Sequence, residues 1–188
     1  MEKEKIVGII GGMGPQATVD LMQRIIRLTS ASDDYDHIRC IVDNNPKIPS
    51  RIKAIIEGKG ESPGPCMAEM AKGLENWGAD FLVIPCNTAH YYYKWVENAV
   101  AIPVVNLIDL VCDYIKEHYP DNSQIGMLAS TSVAITGLYK KRFAKLGYND
   151  IWPDEAWQEK LLNVIKQIKK GNLGQQVHDE YKNVCRNL

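Results

Sequence analysis

The sequence predicts an α/β protein built on mostly parallel sheets. Short apolar runs such as Ile6 to Ile10, Phe81 to Ile84 and Ile125 to Leu128 alternate with longer stretches whose apolar residues recur every three or four positions. That is the alternation of buried strands with amphipathic helices. Glycine and proline punctuate the joins, at Gly11-Gly12-Met13-Gly14-Pro15 and across Lys59 to Pro65.

Ile6 to Ile10 reads as the first strand and the glycine run as the turn out of it. Pro15 suits a first helical turn, where the N–H it lacks would have had no partner. The helix that follows carries Leu21, Met22, Ile25 and Ile26 at three-to-four spacing and is expected to lie on the sheet. Ile38 to Val42 is a second strand, followed by the polar loop Asn44-Asn45-Pro46 and a short helix near Ile52 to Glu57. Met67, Met70, Ala71, Leu74 and Trp77 mark a packed helix that delivers the chain into the strand Phe81 to Ile84. The pattern repeats with Val104-Val105 as strand, Ile108 to Tyr119 as helix and Ile125 to Leu128 as strand. Helices from about Ala134 to Leu146, Ala156 to Lys169 and Leu173 to Leu188 complete it. A boundary near Val100 to Val104 divides the chain into lobes of residues 1–100 and 101–188.

A chain of 188 residues with 45% hydrophobic content can bury a sizeable core. A net charge of -1 and a pI of about 6.4 encode no bulk attraction to nucleic acid or to an anionic membrane. The start, Met1 to Lys5, is charged, and Ile6 to Ile10 is too short for a secretory core or a membrane span, so a cytoplasmic location is expected. The five cysteines, Cys40, Cys66, Cys86, Cys112 and Cys185, contain no close metal-type pair, and their odd number leaves at least one unpaired within the chain. Reduced thiols and no metal are expected.

Chemistry concentrates at two places. Glycines let backbone approach a ligand, and the N–H groups of a following helix start favour an anion. The run at Gly11 to Gly14 lacks dinucleotide-fingerprint spacing, and the chain has no Gly-Lys-Ser/Thr phosphate loop. A small carboxylate, a phosphate and a bare turn all remain open there. Cys86 lies in Pro85-Cys86-Asn87-Thr88-Ala89-His90, beyond a strand whose carboxyl edge is where open α/β sheets bind ligands. A thiol in that position can transfer protons if local donors lower its pKa, and Asn87 and Thr88 supply adjacent donors. The competing reading is a small buried hydrophobe. His90 could assist the thiol or fill the helix start. Cys40 and Cys112 fall within apolar patterns and read as core. Tyr91, Tyr92, Tyr93 and Trp95 read as a packing or dimer face rather than a stacking platform. Arg51 either reaches a carboxylate bidentately or is a solvated charge. Lys169 and Lys170 read as the cationic end of a helix.

The order of Gly11-Gly12-Met13-Gly14-Pro15, Asn44-Asn45-Pro46-Lys47-Ile48-Pro49-Ser50-Arg51, Pro85-Cys86-Asn87-Thr88-Ala89-His90 and Gly126-Met127-Leu128-Ala129 resembles that of the aspartate/glutamate racemase family. The resemblance implies a cofactor-independent racemase of two similar lobes, a small dicarboxylic amino acid as substrate, and a homodimer. It implies that Cys86 is the proton-transferring cysteine of the first lobe. Met13, Gly14, Arg51, Asn87, Thr88 and Lys169 would hold the substrate or shape its site. The chain also departs from the family pattern. Ser130-Thr131-Ser132-Val133 stands where the family carries Thr-x-Gly-Thr, so Val133 places a methyl in the position of a hydroxyl. The family's second cysteine follows a further strand, and Cys185 sits instead within a helical pattern whose apolar face, Leu173, Val177, Tyr181, Val184 and Leu188, runs to the last residue. The second lobe is therefore expected to lack its final strand and closing helix, and the 188-residue form to racemise little. The alternatives are a noncatalytic carboxylate-binding relative and a single-thiol isomerase or lyase.

Overall fold

The computed structural model describes residues 4–121 and 123–188, so Met1 to Lys3 of the charged start lie outside it. Its contacts divide the chain into two units, Met1–Leu107 and Ile108–Leu188.

The first unit contains β1 (Val7–Gly11), α1 (Pro15–Leu28), β2 (Cys40–Asn44), α2 (Arg51–Ile55), α3 (Pro63–Asn76), β3 (Phe81–Val83) and α4 (Tyr93–Glu97). A 3-10 turn over Thr88–Tyr92 connects the last strand to α4. The sheet order is β2-β1-β3, and both pairings are parallel, with Val7 opposite Cys40 on one side and opposite Phe81 on the other. All five residues of β1 are buried, as a central strand covered on both faces requires. Val104 extends the sheet by a single parallel bridge to Leu82, whose N–H donates to Pro103 O at 2.8 Å and whose carbonyl accepts from Val105 N–H at 2.8 Å.

The sequence reading places β2 two residues too early. The ladder pairs Ile10 with Asp43 and Gly11 with Asn44, so pairing with β1 holds two polar residues in a strand that Ile38 precedes. α1 begins at Pro15 as expected, but it meets the sheet through Thr18, Leu21 and Ile25 while Met22 and Ile26 face outward. Adjacent helical positions differ by about 100°, so a stripe two residues wide turns one flank away from a narrow sheet. On α3, Met67, Met70, Ala71 and Leu74 are buried, whereas Trp77 is the C-cap and 73% exposed.

Side chains hold the ends of these elements. Asp80 Oδ2 accepts the Ile6 N–H at 2.7 Å, and Glu75 Oε1 accepts the N–H groups of Ala101 and Ile102 at 2.8 and 3.2 Å. Tyr93 donates its hydroxyl to Val104 O at 2.8 Å. Thr18, fully buried, accepts the Gly12 N–H on its Oγ1 at 3.0 Å and so fixes the chain as it leaves β1.

In the second unit α5 (Leu107–His118) starts on the last residue of the first and is followed by β4 (Gln124–Gly126), α6 (Thr131–Thr136), α7 (Lys140–Leu146), β5 (Asn149–Ile151), α8 (Glu155–Lys169) and α9 (Gln175–Arg186). β4 and β5 pair in parallel, forming a two-stranded sheet among the described residues. The one helix expected from Ala134 to Leu146 is two, because Gly137 adopts φ +60° and closes α6 in a left-handed cap. β5 had no counterpart in the sequence reading, since Asn149-Asp150-Ile151 offers one apolar residue. Ile108, Cys112, Met127, Val133, Tyr139, Phe143 and Tyr148 form the core, and Arg142 pairs with Asp109 at its margin. On α9, Val177 and Val184 are buried and Tyr181 is exposed, and Leu173, expected to open this helix, precedes it and is exposed. Among the described residues no helix is long and apolar enough to cross a membrane.

Two stability measurements follow from this packing. Thr18→Val keeps the shape but leaves the buried Gly12 N–H without its acceptor, and is expected to lower unfolding free energy by about 1–3 kcal/mol, with Thr18→Ser losing less; urea denaturation measures both. Burial pushes the Tyr139 hydroxyl up to about 12 from an ordinary 10.0, so its contribution to stability is complete below pH 10 and is lost as pH rises through about 12. Tyr139→Phe removes that ionisation. Its unfolding midpoint is expected to fall less than the wild type's across this interval in pH-dependent denaturant titrations.

Candidate active site

Parallel pairing on both sides of β1 brings three carboxyl ends to one edge of the first sheet. The segments leaving that edge are Gly12-Met13-Gly14 after β1, Asn45 after β2 and Ile84-Pro85-Cys86 after β3. The chain passes from β1 to a neighbour on one side and later to a neighbour on the other. The carboxyl ends of β1 and β3 therefore flank a topological switch point, where open α/β sheets form their ligand crevices.

Gly12 has φ +90°, and a Cβ there would lie 2.2 Å from the Asn45 carbonyl oxygen, so the turn packs directly on the backbone that leaves β2. Only glycine satisfies both conditions. Met13 is 5% exposed and belongs to the core. Gly14 is the N-cap of α1, with open space where a Cβ would stand. Asn45 Oδ1 accepts the Lys47 N–H at 2.9 Å, and its Nδ2 points to the sulfurs of Cys66 and Met70 at 3.8 and 3.9 Å. Burial, reinforced by Asp43 and Glu61, pushes the Cys66 thiol above its ordinary pKa.

Cys86 carries a half-buried free thiol. Its N–H donates to Ile84 O at 2.8 Å, and its carbonyl lies 2.8 Å from His90 Nδ1. Leu107 donates its N–H to His90 Nε2 at 3.0 Å. An N–H donates only to the ring nitrogen that has a lone pair, so His90 is the Nδ1–H tautomer and donates to the Cys86 carbonyl. Both ring nitrogens are thus engaged by backbone groups, which favours the structural of the two readings the sequence left open for this histidine.

Asn87 is exposed and Thr88 half-buried at the start of the 3-10 turn, where Asn87 O accepts the His90 N–H at 3.0 Å. Arg51 opens α2 directly after Ser50, whose hydroxyl accepts the Lys53 N–H at 3.3 Å. The Arg51 charge reaches Tyr92: burial and Tyr91 raise the Tyr92 hydroxyl, and Arg51 opposes them. Six of the named residues, Met13, Gly14, Arg51, Cys86, Asn87 and Thr88, therefore belong to the first unit, while Lys169 is exposed at the end of α8 in the second.

At the carboxyl end of β4, Ser130 is the N-cap residue of α6, Ser132 is buried, and Val133 packs into the second core. Gln158 Nε2 donates to Ala129 O at 3.0 Å. Thr18 and Gln158 do not figure in the sequence analysis, and Asn45 and Cys66 figure there without a role at the site. Asn45 stands inside a recognised motif, and the hydroxyl of Thr18 four residues past Gly14 was a visible signal. Gln158 gave none. Among the described residues no group of three or more His, Cys, Asp or Glu is placed to hold a metal ion.

Comparison with known proteins identifies the family and the fold. A family profile described as Asp/Glu/Hydantoin racemase matches residues 10–188. The broad specificity amino-acid racemase RacX of Bacillus subtilis is 27% identical over 180 residues, spanning 89% of this chain and 72% of its own. The structure of an aspartate racemase from Picrophilus torridus superposes with a TM-score of 0.87 at 31% identity, over 97% of this chain and 75% of that one. An aspartate racemase homologue from Pyrococcus horikoshii OT3 shares the fold, with a TM-score of 0.70 at 23% identity over 91% of this chain and 74% of its own. With the profile covering nearly the whole sequence, the chain belongs to the Asp/Glu/Hydantoin racemase family.

Proposed function

We propose that this protein binds a small dicarboxylic amino acid, aspartate before glutamate, and exchanges its Cα proton through Cys86 without a cofactor. The observation that carries the reading is the placement of the Cys86 thiol beyond β3, beside the glycine turn that leaves β1. As thiolate, Cys86 takes the Cα proton, and the electron pair left on Cα delocalises into the α-carboxylate; reprotonation restores the amino acid. That charge needs donors. The Arg51 guanidinium offers a bidentate partner for a carboxylate, Asn87 and Thr88 offer side-chain donors beside the thiol, and the Met13–Gly14 backbone forms the facing wall. For Lys169 as partner of the distal carboxylate, the support is family resemblance alone.

Inversion needs a proton donor on the opposite face of Cα. Cys40 starts β2, Cys66 lies in α3, Cys112 is buried in the second core and Cys185 is exposed on α9, so Cys86 is the one described thiol that follows a strand's carboxyl end. The 188-residue chain by itself is therefore expected to exchange the Cα proton faster than it racemises. Proton NMR in deuterium oxide with parallel chiral chromatography separates the two rates. Cys86→Ser is expected to lower exchange by roughly a hundredfold or more. A folded protein that binds neither aspartate nor glutamate enantiomer at millimolar concentration in calorimetry would overturn the substrate assignment. Binding without exchange would favour a noncatalytic carboxylate-binding relative, the reading that a methyl at Val133 in place of a hydroxyl supports.

A homodimer forms part of the same proposal. Tyr91 and Trp95 remain exposed although Tyr92 and Val96, between and beside them, are buried, and such a surface suits a second copy. Size-exclusion chromatography with light scattering is expected to give twice the chain mass; a monomer at all concentrations would count against it.

A further inference from the structure

The proton on His90 has a consequence for the neighbouring thiol. We propose that His90 is a positioning residue for Cys86. Held as the neutral Nδ1–H tautomer, it fixes the Cys86–Asn87 peptide and with it the direction in which the thiol leaves the sheet edge. The proposal rests on the reading that Cys86 is the reacting group.

β3 ends at Val83, and regular structure resumes only with the 3-10 turn at Thr88, so Cys86 lies in a stretch without ladder hydrogen bonds. Its N–H is held at 2.8 Å by the carbonyl of Ile84, two residues back. The torsion between Cα and the carbonyl carbon of Cys86 is held from the other side by His90 Nδ1 at 2.8 Å from the carbonyl oxygen. The ring can serve as a fixed post because its far end is anchored: Leu107, the last residue of the first unit, donates to Nε2 at 3.0 Å. The Tyr93 ring lies nearly parallel to it, at 12° and 6.2 Å between centroids, and His90 is 4% exposed. A proton added at Nε2 would point into the Leu107 N–H, and the resulting cation would be buried. The geometry therefore selects the neutral form and assigns each nitrogen its role. A backbone set in this way fixes the Cα–Cβ direction and confines the sulfur to the arc that its staggered rotamers allow. Displacements of about 1 Å at a reacting centre cost on the order of a hundredfold in rate.

Two substitutions separate the two bonds. The amide nitrogen of Asn occupies the place of Nδ1, so His90→Asn keeps a donor for the Cys86 carbonyl and gives up Leu107. The side-chain amide of Gln reaches the place of Nε2, so His90→Gln keeps an acceptor for Leu107 and gives up the Cys86 carbonyl. The rate of Cys86 alkylation by iodoacetamide, followed by peptide mass spectrometry, reads the thiol without any substrate. It is expected to stay within a few-fold of wild type in His90→Asn and to change by about tenfold in His90→Gln, where exchange should lose kcat with little change in KM. Equal changes in both variants, in step with their loss of thermal stability, would overturn the proposal. Nitrogen-15 NMR of the unmodified protein provides an arm that no folding defect can reach: His90 is expected as the Nδ1–H tautomer, and an Nε2–H signal would refute it. An alkylation split in a protein that exchanges no amino-acid proton would sustain the positioning role and sink the proposed function. Exchange by wild type with no split between variants would do the reverse.

Discussion

The parallel pairing of β1 on both of its edges is the constraint from which the remainder of the first unit follows. Parallel neighbours cannot be joined by tight turns, so each return crosses a face of the sheet through a helix. The faces are then covered and the central strand must be apolar throughout, as Val7, Ile9 and Ile10 are. The same pairing sends every strand the same way and delivers the residues that follow them to one edge. A glycine turn, an asparagine loop and a cysteine separated by dozens of residues become neighbours through that directionality alone.

Directionality gathers the loops; polar side chains, of which Thr18 and His90 are buried, hold them in place. Backbone groups leaving a strand lose their ladder partners and need others. Thr18 supplies one to Gly12, Asn45 to Lys47 and His90 to Cys86, while Asp80 and Glu75 do so for Ile6 and the Ala101-Ile102 pair. Thr18 and Glu75 make their bonds from α1 and α3, and His90 from the 3-10 turn, so part of the loop geometry is tied to regular structure. A site whose groups must sit within fractions of an ångström benefits from such support. Cys66 carries a second thiol near this edge, and burial with the nearby carboxylates Asp43 and Glu61 disfavours its thiolate.

Much of this was legible in the sequence because it depends on residue type near a strand. β1 and β3 are apolar runs, and a cysteine just past the second of these is conspicuous. The second strand and β5 were harder, since Asp43, Asn44, Asn149 and Asp150 are held in strands by their partners rather than by their own preference. Trp77 fits the helical period of α3 but lies at its end, where no neighbour covers it. Gly137 splits one apparent helix in two because a left-handed residue ends α6 whatever the periodicity beyond. Within the site, the types of Cys86 and Arg51 announced themselves, whereas the role of His90 depends on Leu107, seventeen residues away, and no local pattern encodes which ring nitrogen carries the proton.

The two units solve one physical problem in the same way and then differ in chemistry. After β3 a side chain from the following turn holds the Cys86 carbonyl; after β4 a side chain from α8, Gln158, holds the Ala129 carbonyl at 3.0 Å. Both fix the peptide that leads away from a strand's carboxyl end, which is where a parallel sheet exposes backbone to a ligand. What the fixed peptides present is unlike. The first edge offers a thiol, the second the hydroxyl-bearing residues Ser130, Thr131 and Ser132 ahead of a buried Val133. A hydroxyl is a far weaker acid than a thiol near neutral pH and is suited to donating a hydrogen bond rather than to exchanging a Cα proton. The supports are alike and the groups they carry are not: a thiol, suited to proton transfer, follows β3, and hydroxyls, suited to hydrogen bonding, follow β4.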